Sequence, residues 1–205
     1  MTRRPSVARA GEVSELSDAL LIARWKSGDQ QAAAALVERH APALARFAAS
    51  CGVRDQLEEV VQDTFVRAFG SLEGFRADSA LRTWLFTILR NAFYSEQRKR
   101  MREVQDEDGS YAARLFTAPD QGHRLDVQDL RAGLAKLPPD QREALILVGA
   151  EGLSYEEVAG ICGVAIGTIK SRVNRARNRL AELLGYDEED LGTDRLIQSA
   201  MPKDA

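Results

Sequence analysis

A stretch near the C-terminus, residues 154–184, restricts the fold more than any other part of this sequence. It reads SYEEVAGICGVAIGTIKSRVNRARNRLAELL. A small residue, Ala159, stands where two helices must touch, and Gly163 follows four residues later, where a tight turn needs a permissive backbone. Ile169 comes six residues further on, where the second helix needs a core contact. This spacing predicts a helix-turn-helix.

Capping and charge agree with this spacing. Ser154 followed three residues later by Glu157 is the pattern of a capping box at the start of the first helix. The second helix has a cluster of cations with no acid among them, although the whole chain has a net charge of -3: Lys170, Arg172, Arg175, Arg177 and Arg179. A cluster of this kind creates a positive electrostatic potential, which attracts a polyanion such as nucleic acid. The alternative is a basic, solvated helix in an ordinary bundle, but the agreement of spacing and charge favours nucleic-acid binding.

Composition excludes several other classes. The chain has 205 residues and is 44% hydrophobic, which is enough for one ordinary domain or two small ones. No apolar run approaches the roughly 20 residues needed to cross a bilayer, and the N-terminal MTRRPSVARA lacks the apolar core of a signal peptide. We therefore expect a cytoplasmic protein without membrane insertion.

The few residues that could carry redox or metal chemistry are scattered. Cys51 and Cys162 form no C-x-x-C pair, and His40 and His123 lack neighbours with metal-ligand spacing. No Gly-rich phosphate loop or nucleophile elbow is present. We expect two buried structural thiols, no metal, no cofactor and no enzymatic activity.

The periodicity of apolar residues along the chain predicts an all-α protein with two small helical domains joined by a flexible linker. Pro42 is expected to kink or divide a helix that starts after Asp29, and Pro138 and Pro139 are expected to open another helix. The predicted segments are a disordered N-terminus (1–16), a first domain (17–102), an acidic linker (103–125), a second domain (126–185) and an acidic tail (186–205).

Two helices of the first domain have unusual polar faces. The helix expected over residues 54–69 carries acids and an amide opposite its apolar face: Glu58, Glu59, Gln62 and Asp63. The helix expected over residues 80–101 combines cations, an amide and a ring: Arg90, Asn91, Tyr94, Arg98 and Lys99. Cations hold phosphates, while a ring and an amide can stack on and hydrogen-bond to unpaired bases. An ordinary basic helix end is an equally good interpretation of composition alone.

These segments carry a family resemblance. QLEEVVQDTFVRAF (56–69) and RTWLFTILRNAFYSEQRKR (82–100) are followed by LPPDQREALILVGAEGLSYEEVAGICGVAIGTIKSRVNRARNRL (137–180). Together they resemble an extracytoplasmic-function (ECF) sigma factor, most closely the EcfG-type general stress-response sigma factors of alphaproteobacteria. The resemblance covers residues 17–184, and it is specific because two domain signatures coincide in the expected order.

The resemblance implies a role for each polar set. It implies binding of core RNA polymerase by Glu58, Glu59, Gln62 and Asp63. It implies recognition of the minus-10 element by Asn91, supported by Arg90, Tyr94, Arg98 and Lys99. It implies recognition of the minus-35 element by Thr168, Lys170, Ser171, Arg172, Asn174, Arg175, Arg177 and Arg179. The implied partners are core polymerase, promoter DNA and a small anti-sigma factor similar to NepR.

Two other classes of function remain open at this point. One is a sigma-like interaction protein that binds the anti-sigma factor instead of DNA, which should lack the basic residues kept here at Arg98, Arg172 and Arg175. The other is a helix-turn-helix regulator with a ligand-sensing N-terminal domain. That class leaves the RTWLFTILRN segment without an explanation.

Overall fold

The computed structural model describes most of the two predicted domains. It covers residues 16–53, 56–72, 75, 80–105 and 127–185, with side chains except those of 96–105 and 127. Every regular element within these ranges is helical, which confirms the all-α prediction. The predicted disordered N-terminus, the linker and the acidic tail lie outside the described residues, apart from the residues at their borders.

Four helices form the first half of the chain: α1 (Asp18–Lys26), α2 (Gln30–Ser50), α3 (Leu57–Ser71) and α4 (Leu81–Gln105). Side chains fix the first two starts, since Ser17 accepts a hydrogen bond from Leu20 N and Asp29 accepts one from Gln31 N. Pro42 lies inside α2, which runs as one helix and is not divided. Buried residues on both sides of Pro42, including Leu36 and Phe47, keep this helix packed.

The core of this half comes from one face of each helix. Helices α2, α3 and α4 contact one another, and α1 packs on α2. Phe47 of α2 meets Phe86 of α4 edge to face at 5.3 Å. His40 is also buried, and its Nε2 lies 3.0 Å from Oδ2 of Asp18. Burial lowers the pKa of His40 in spite of this acid, so the imidazole serves as a core residue.

The second half contains α5 (Val127–Ala135), α6 (Pro139–Leu145), a π-helical turn (Ile146–Ala150), α7 (Tyr155–Cys162) and α8 (Ile166–Leu184). Pro139 is the first residue of α6, which confirms the helix start predicted at the two prolines. The π-helical turn directly after α6 was not expected from the sequence. Helices α5, α6 and α7 all pack against α8.

Local chemistry explains the geometry of the predicted helix-turn-helix. Ser154 and Glu157 form both hydrogen bonds of the capping box at the start of α7. Gly163 ends α7 with a φ of 67°, in the left-handed region that favours glycine. Ala159 and Ile169 are buried on the two sides of this turn. The helix-turn-helix prediction is therefore confirmed.

The two halves pack directly against each other. Helix α4 contacts α7, and α2 contacts α5 and the π-helical turn. Buried apolar residues of both halves belong to one hydrophobic cluster. Among the described residues, no helix is long and apolar enough to cross a membrane.

Candidate nucleic-acid interface

Helix α8 separates a buried face from a polar one. Its core residues recur at spacings of four, three and four residues: Ile169, Val173, Ala176 and Leu180. Lys170, Asn174 and Arg175 are exposed between them. Because the buried face is anchored on three other helices, the exposed face is held on a rigid element. This arrangement suits entry into a DNA groove.

The residues predicted for minus-35 contact share this helix but differ in exposure. Thr168, Lys170, Asn174, Arg175 and Arg179 are exposed, and Ser171, Arg172 and Arg177 are half-buried. Nε of Arg172 lies 3.1 Å from Oδ2 of Asp140 on α6, and Nη1 of Arg179 donates to Glu182 at 2.7 Å. The cluster thus contains freely exposed cations and at least one cation that an acid of the same half holds.

No side chain caps the start of α8. Its N-cap is Ala165, whose methyl side chain cannot accept a hydrogen bond from the first-turn amides. Amide groups at a helix start carry partial positive charge and bind phosphates well. The start of α8 therefore adds backbone donors to the cations of the exposed face.

The residues predicted for minus-10 contact are divided between surface and interface. Asn91 is exposed on α4. Arg90 and Tyr94 turn toward Glu143 of α6: Nε of Arg90 donates to Glu143 Oε1 at 2.6 Å, and the Tyr94 hydroxyl lies 3.3 Å from Oε2. Arg98 and Lys99 continue the same helix, but their side chains lie outside the described residues.

Glu143 is the centre of this contact. Its side chain is 1% exposed, and the guanidinium of Arg90 also stacks over the Tyr94 ring at 4.7 Å. Burial alone would lower the pKa of Arg90, but the hydrogen bond and the charge of Glu143 outweigh it and raise the pKa. Burial, followed by the charge of Glu143, raises the pKa of Tyr94. Arg90 therefore stays charged and Tyr94 stays a neutral donor.

A second buried acid joins the halves near the π-helical turn. The Glu151 side chain is fully buried and contacts two cations of the first half, Arg46 of α2 and Arg82 of α4. Nε of Arg46 donates to Oε1 of Glu151 at 3.3 Å. Nearby, Thr83 Oγ1 donates to Glu157 Oε1 at 2.8 Å. Sequence reasoning missed Glu143 and Glu151, although each is an acid at the border of the apolar run ALILVGA.

The negative charge of Glu143 acts on the thiols of both cysteines. Burial, followed by this carboxylate, raises the pKa of Cys51 to about 12 and that of Cys162 to about 11. Cys162 is buried, Cys51 is partly exposed, and both are free thiols. The buried thiol predicted at Cys162 is confirmed, whereas Cys51, which was also predicted to be buried, is only half-buried. No group of His, Cys, Asp and Glu residues suited to a metal ion occurs in the described part of the chain.

The acidic face of α3 points away from the core. Glu58, Glu59 and Gln62 are exposed, whereas Val61 and Phe65 on the opposite face are buried. Asp63 is half-exposed, and it accepts a hydrogen bond from Nε of Arg67, one turn later, at 2.7 Å. This face is available for a partner with positive charge.

Comparison with known proteins assigns the family. Residues 36–103 match the family Sigma-70 region 2, and residues 128–180 match Sigma-70, region 4. The ECF RNA polymerase sigma factor EcfG of Rhodopseudomonas palustris (strain TIE-1) is 53% identical over 162 residues, which cover 78% of this chain and 90% of that protein. The chain belongs to the ECF sigma factors. It is a promoter-recognising subunit of RNA polymerase. The region 2 match covers α3 and most of α2 and α4, and the region 4 match covers most of the helices from α5 to α8.

Other relatives of this sigma factor agree with the assignment. The RNA polymerase sigma factor CnrH of Cupriavidus metallidurans is 34% identical over 187 residues, covering 85% of this chain and 98% of that protein. The sigma factor RpoE of Bartonella quintana, solved in complex with the anti-sigma factor NepR, is 53% identical. It covers 74% of this chain and 96% of its own, with a TM-score of 0.65. These comparisons favour neither alternative class of function.

Proposed function

We propose that α8 reads the minus-35 element in the major groove. The observation that carries this proposal is the rigid helix with a buried apolar face and an exposed basic face. Lys170, Ser171, Arg172, Asn174 and Arg175 lie on its first turns and contact base edges or adjacent phosphates. Thr168, Arg177 and Arg179 hold the DNA backbone. Bidentate arginine contacts to guanine supply the sequence preference.

The minus-10 element belongs to α4 in this proposal. Asn91, exposed beside the packed face of the helix, hydrogen-bonds to an unpaired base. Arg90, Tyr94, Arg98 and Lys99 support the displaced strand by charge and stacking. Taking one base out of the stack costs a few kcal/mol, which a sigma factor recovers through these contacts.

Core RNA polymerase binds the acidic face of α3 through Glu58, Glu59, Gln62 and Asp63. The exposure of this face, with Val61 and Phe65 packed behind it, supports the assignment. Residues 17–102 then form the region 2 domain, and residues 126–185 form the region 4 domain. The acidic segment 103–125 links them, and 186–205 is a tail.

A small NepR-like anti-sigma factor is the proposed regulator. The support is the 53% identity to RpoE of Bartonella quintana, which was solved with NepR. This partner implies a role in a stress response. A sigma factor works where the chromosome and RNA polymerase are, in the cytoplasm. It supplies recognition, while the polymerase performs the chemistry.

Reconstitution with core polymerase tests this function. The full chain should direct transcription from a subset of a promoter library that shares minus-35 and minus-10 sequences. Reversing Glu59 and Asp63 to Lys should weaken binding to core, whereas Glu38→Lys, an exposed reversal on α2, should not. Equal core affinity in the α3 variant would move the docking face elsewhere. Failure to direct transcription from any library member would refute the function itself.

A further inference from the structure

The first turn of α8 presents an apolar surface to solvent. Residues 165–168 are all exposed, whereas Ile169, the next residue, is fully buried. This turn reads AIGT, so it has no charged side chain, and Thr168 supplies its only side-chain hydrogen-bonding group. The cations that hold phosphates lie further along the helix. An apolar surface therefore stands at the end of the helix that the proposed function places in the major groove.

Ile166 is the largest apolar side chain of this turn. The residue is 38% exposed, and it lies one turn before Lys170 on the same side of the helix. Leu20 and Val66 are also exposed, but they lie on α1 and α3. Single exposed apolar residues are common on protein surfaces. It is the position of Ile166 beside a residue assigned to the minus-35 element that points to DNA.

Packing within the chain does not explain the glycine that follows, Gly167. Gly133 of α5 is different, because a Cβ atom there would lie 2.8 Å from Cδ1 of Leu180. A Cβ atom at Gly167 would meet nothing within 4 Å, and the backbone of Gly167 is not in the left-handed region. Alanine forms helices better than glycine. Glycine at this position therefore weakens the helix without relieving any contact inside the protein.

Gly167 also lies on the side of α8 that the proposed function assigns to DNA. Lys170, Ser171 and Asn174 follow it at spacings of three, four and seven residues, which places all four on one side of the helix. Gly160 is equally open but lies on α7, so openness alone identifies no site. A glycine on the DNA-facing side lets the helix backbone approach the base edges closely.

Apolar contact with the C5-methyl group distinguishes thymine from the other bases in the major groove. We propose that Ile166 packs on the methyl group of a thymine in the minus-35 element, and that Gly167 allows the close approach that this contact needs. Ile166 is then a specificity-determining residue, whereas Lys170 and Arg175 supply charge and hydrogen bonds. This inference rests on the proposed entry of α8 into the major groove.

Replacing thymine by uracil removes only this methyl group. The probe is a promoter duplex selected with the wild-type holoenzyme, with uracil placed in turn at each thymine of the minus-35 element on either strand. One replacement should weaken binding of the wild-type holoenzyme about fourfold, as expected for one methyl-sized group that is no longer buried. Ile166→Ala should lose this sensitivity. Leu20→Ala, which removes an exposed apolar side chain from α1, is the matched control and should keep it.

Gly167→Ala tests the close approach. The added methyl group meets no other atom of the chain, so urea denaturation should show no loss of stability. Holoenzyme with this variant should bind the promoter roughly tenfold more weakly, because the methyl group would overlap the DNA. Gly160→Ala makes the same change at an open position of α7 and should bind with wild-type affinity.

The outcomes separate this inference from the proposed function. A uracil effect that Ile166→Ala abolishes supports the thymine contact, and weaker binding by Gly167→Ala supports the close approach. A uracil effect that persists unchanged in Ile166→Ala would overturn the contact, and so would a minus-35 element without thymine on either strand. If Arg175→Ala weakens binding while no uracil replacement does, only the thymine contact fails. If neither Arg175→Ala nor any uracil replacement changes affinity, the proposed role of α8 fails with it.

Discussion

At the scale of single residues, the cations of α8 are not equivalent. Arg175 is exposed, whereas Arg172 is half-buried and paired with Asp140. Binding through Arg175 requires only loss of hydration, but binding through Arg172 also requires breaking an ion pair. The position of each arginine relative to α6 therefore determines its net contribution to the free energy of DNA binding.

This difference gives a mutational prediction. Arg175→Ala should weaken minus-35 binding by about 1 to 3 kcal/mol, and Arg172→Ala by less, because Arg172 must break its pair with Asp140 before it can contact DNA. Fluorescence anisotropy with a minus-35 duplex measures both changes. Core binding should stay constant in each variant. Normal affinity and normal promoter preference in both would remove α8 from the interface.

Asn91 allows a separate test of strand opening. Its side chain is exposed, so Asn91→Ala should leave the fold intact. We expect the loss of one base-reading contact to slow open-complex formation about tenfold or more, while closed-complex binding changes little. Permanganate reactivity on duplex and premelted templates distinguishes the two steps. A variant that opens duplex promoter at the normal rate, with normal sequence preference, would exclude base capture by Asn91.

At the scale of elements, the capping box joins α7 to the rest of the protein. Ser154 Oγ accepts from the Glu157 amide at 3.1 Å, and Glu157 Oε2 accepts from the Ser154 amide at 2.9 Å. The hydrogen bond from the Ser154 backbone is the largest of the influences that lower the pKa of Glu157. The other carboxylate oxygen reaches Thr83 on α4. One carboxylate thus serves the helix start and the interface between halves.

Substitution of Ser154 should show how much its N-cap contributes to the stability of the protein. Ser154→Ala should lower the free energy of unfolding by about 1 kcal/mol, whereas Ser154→Gly should cost only a few tenths, because glycine tolerates the N-cap backbone. Urea denaturation followed by circular dichroism measures the difference. Equal losses in the two variants would show that the Ser154 hydroxyl contributes no specific capping energy.

Sequence patterns predicted those helices and turns that are determined by residues close together in the sequence. The positions of Ala159, Gly163 and Ile169 fix the helix-turn-helix, and the paired prolines fix the start of α6. The continuity of α2 through Pro42 was not predictable, because the packing of α2 on other helices outweighs the local free-energy cost of a proline within a helix.

The partners of the two buried acids, Glu143 and Glu151, could not be predicted from sequence patterns either. Glu151 lies 105 residues from Arg46, and Glu143 lies 53 residues from Arg90. No periodicity within a helix reports a contact at such separation. The exposed positions of Asn91 and Arg175 follow from helical spacing, whereas the partial burial of Arg90 and Tyr94 depends on the packing of α4 against the second half.

At the scale of the whole molecule, the joined core links stability to pH. Both thiols have pKa values above the ordinary 9.0, at about 12 for Cys51 and about 11 for Cys162. Above pH 9 the unfolded chain releases these protons while the folded chain keeps them, so unfolding is favoured as pH rises. The stability present below pH 9 should fall by about 1.4 kcal/mol per pH unit for each thiol between pH 9 and the folded pKa.

A variant without thiols provides the control for this prediction. Replacing Cys51 and Cys162 by Ala should lower stability at neutral pH, because buried volume is lost, but should flatten the alkaline decline. Thermal unfolding at several pH values between 8 and 11 measures the slope. Parallel declines in wild type and variant would assign the alkaline effect to other groups.

The placement of Asp140 and Glu143 on one short helix gives the two acids different ranges of action. Asp140 pairs with Arg172 of α8, which lies in the same half, so DNA that takes Arg172 from Asp140 acts within that half alone. Glu143 pairs with Arg90 and Tyr94 of α4, which lie in the other half. Loss of the Asp140 pair therefore leaves the Glu143 contacts in place. Through these two ion pairs, occupancy of the minus-35 element does not change affinity at the minus-10 element.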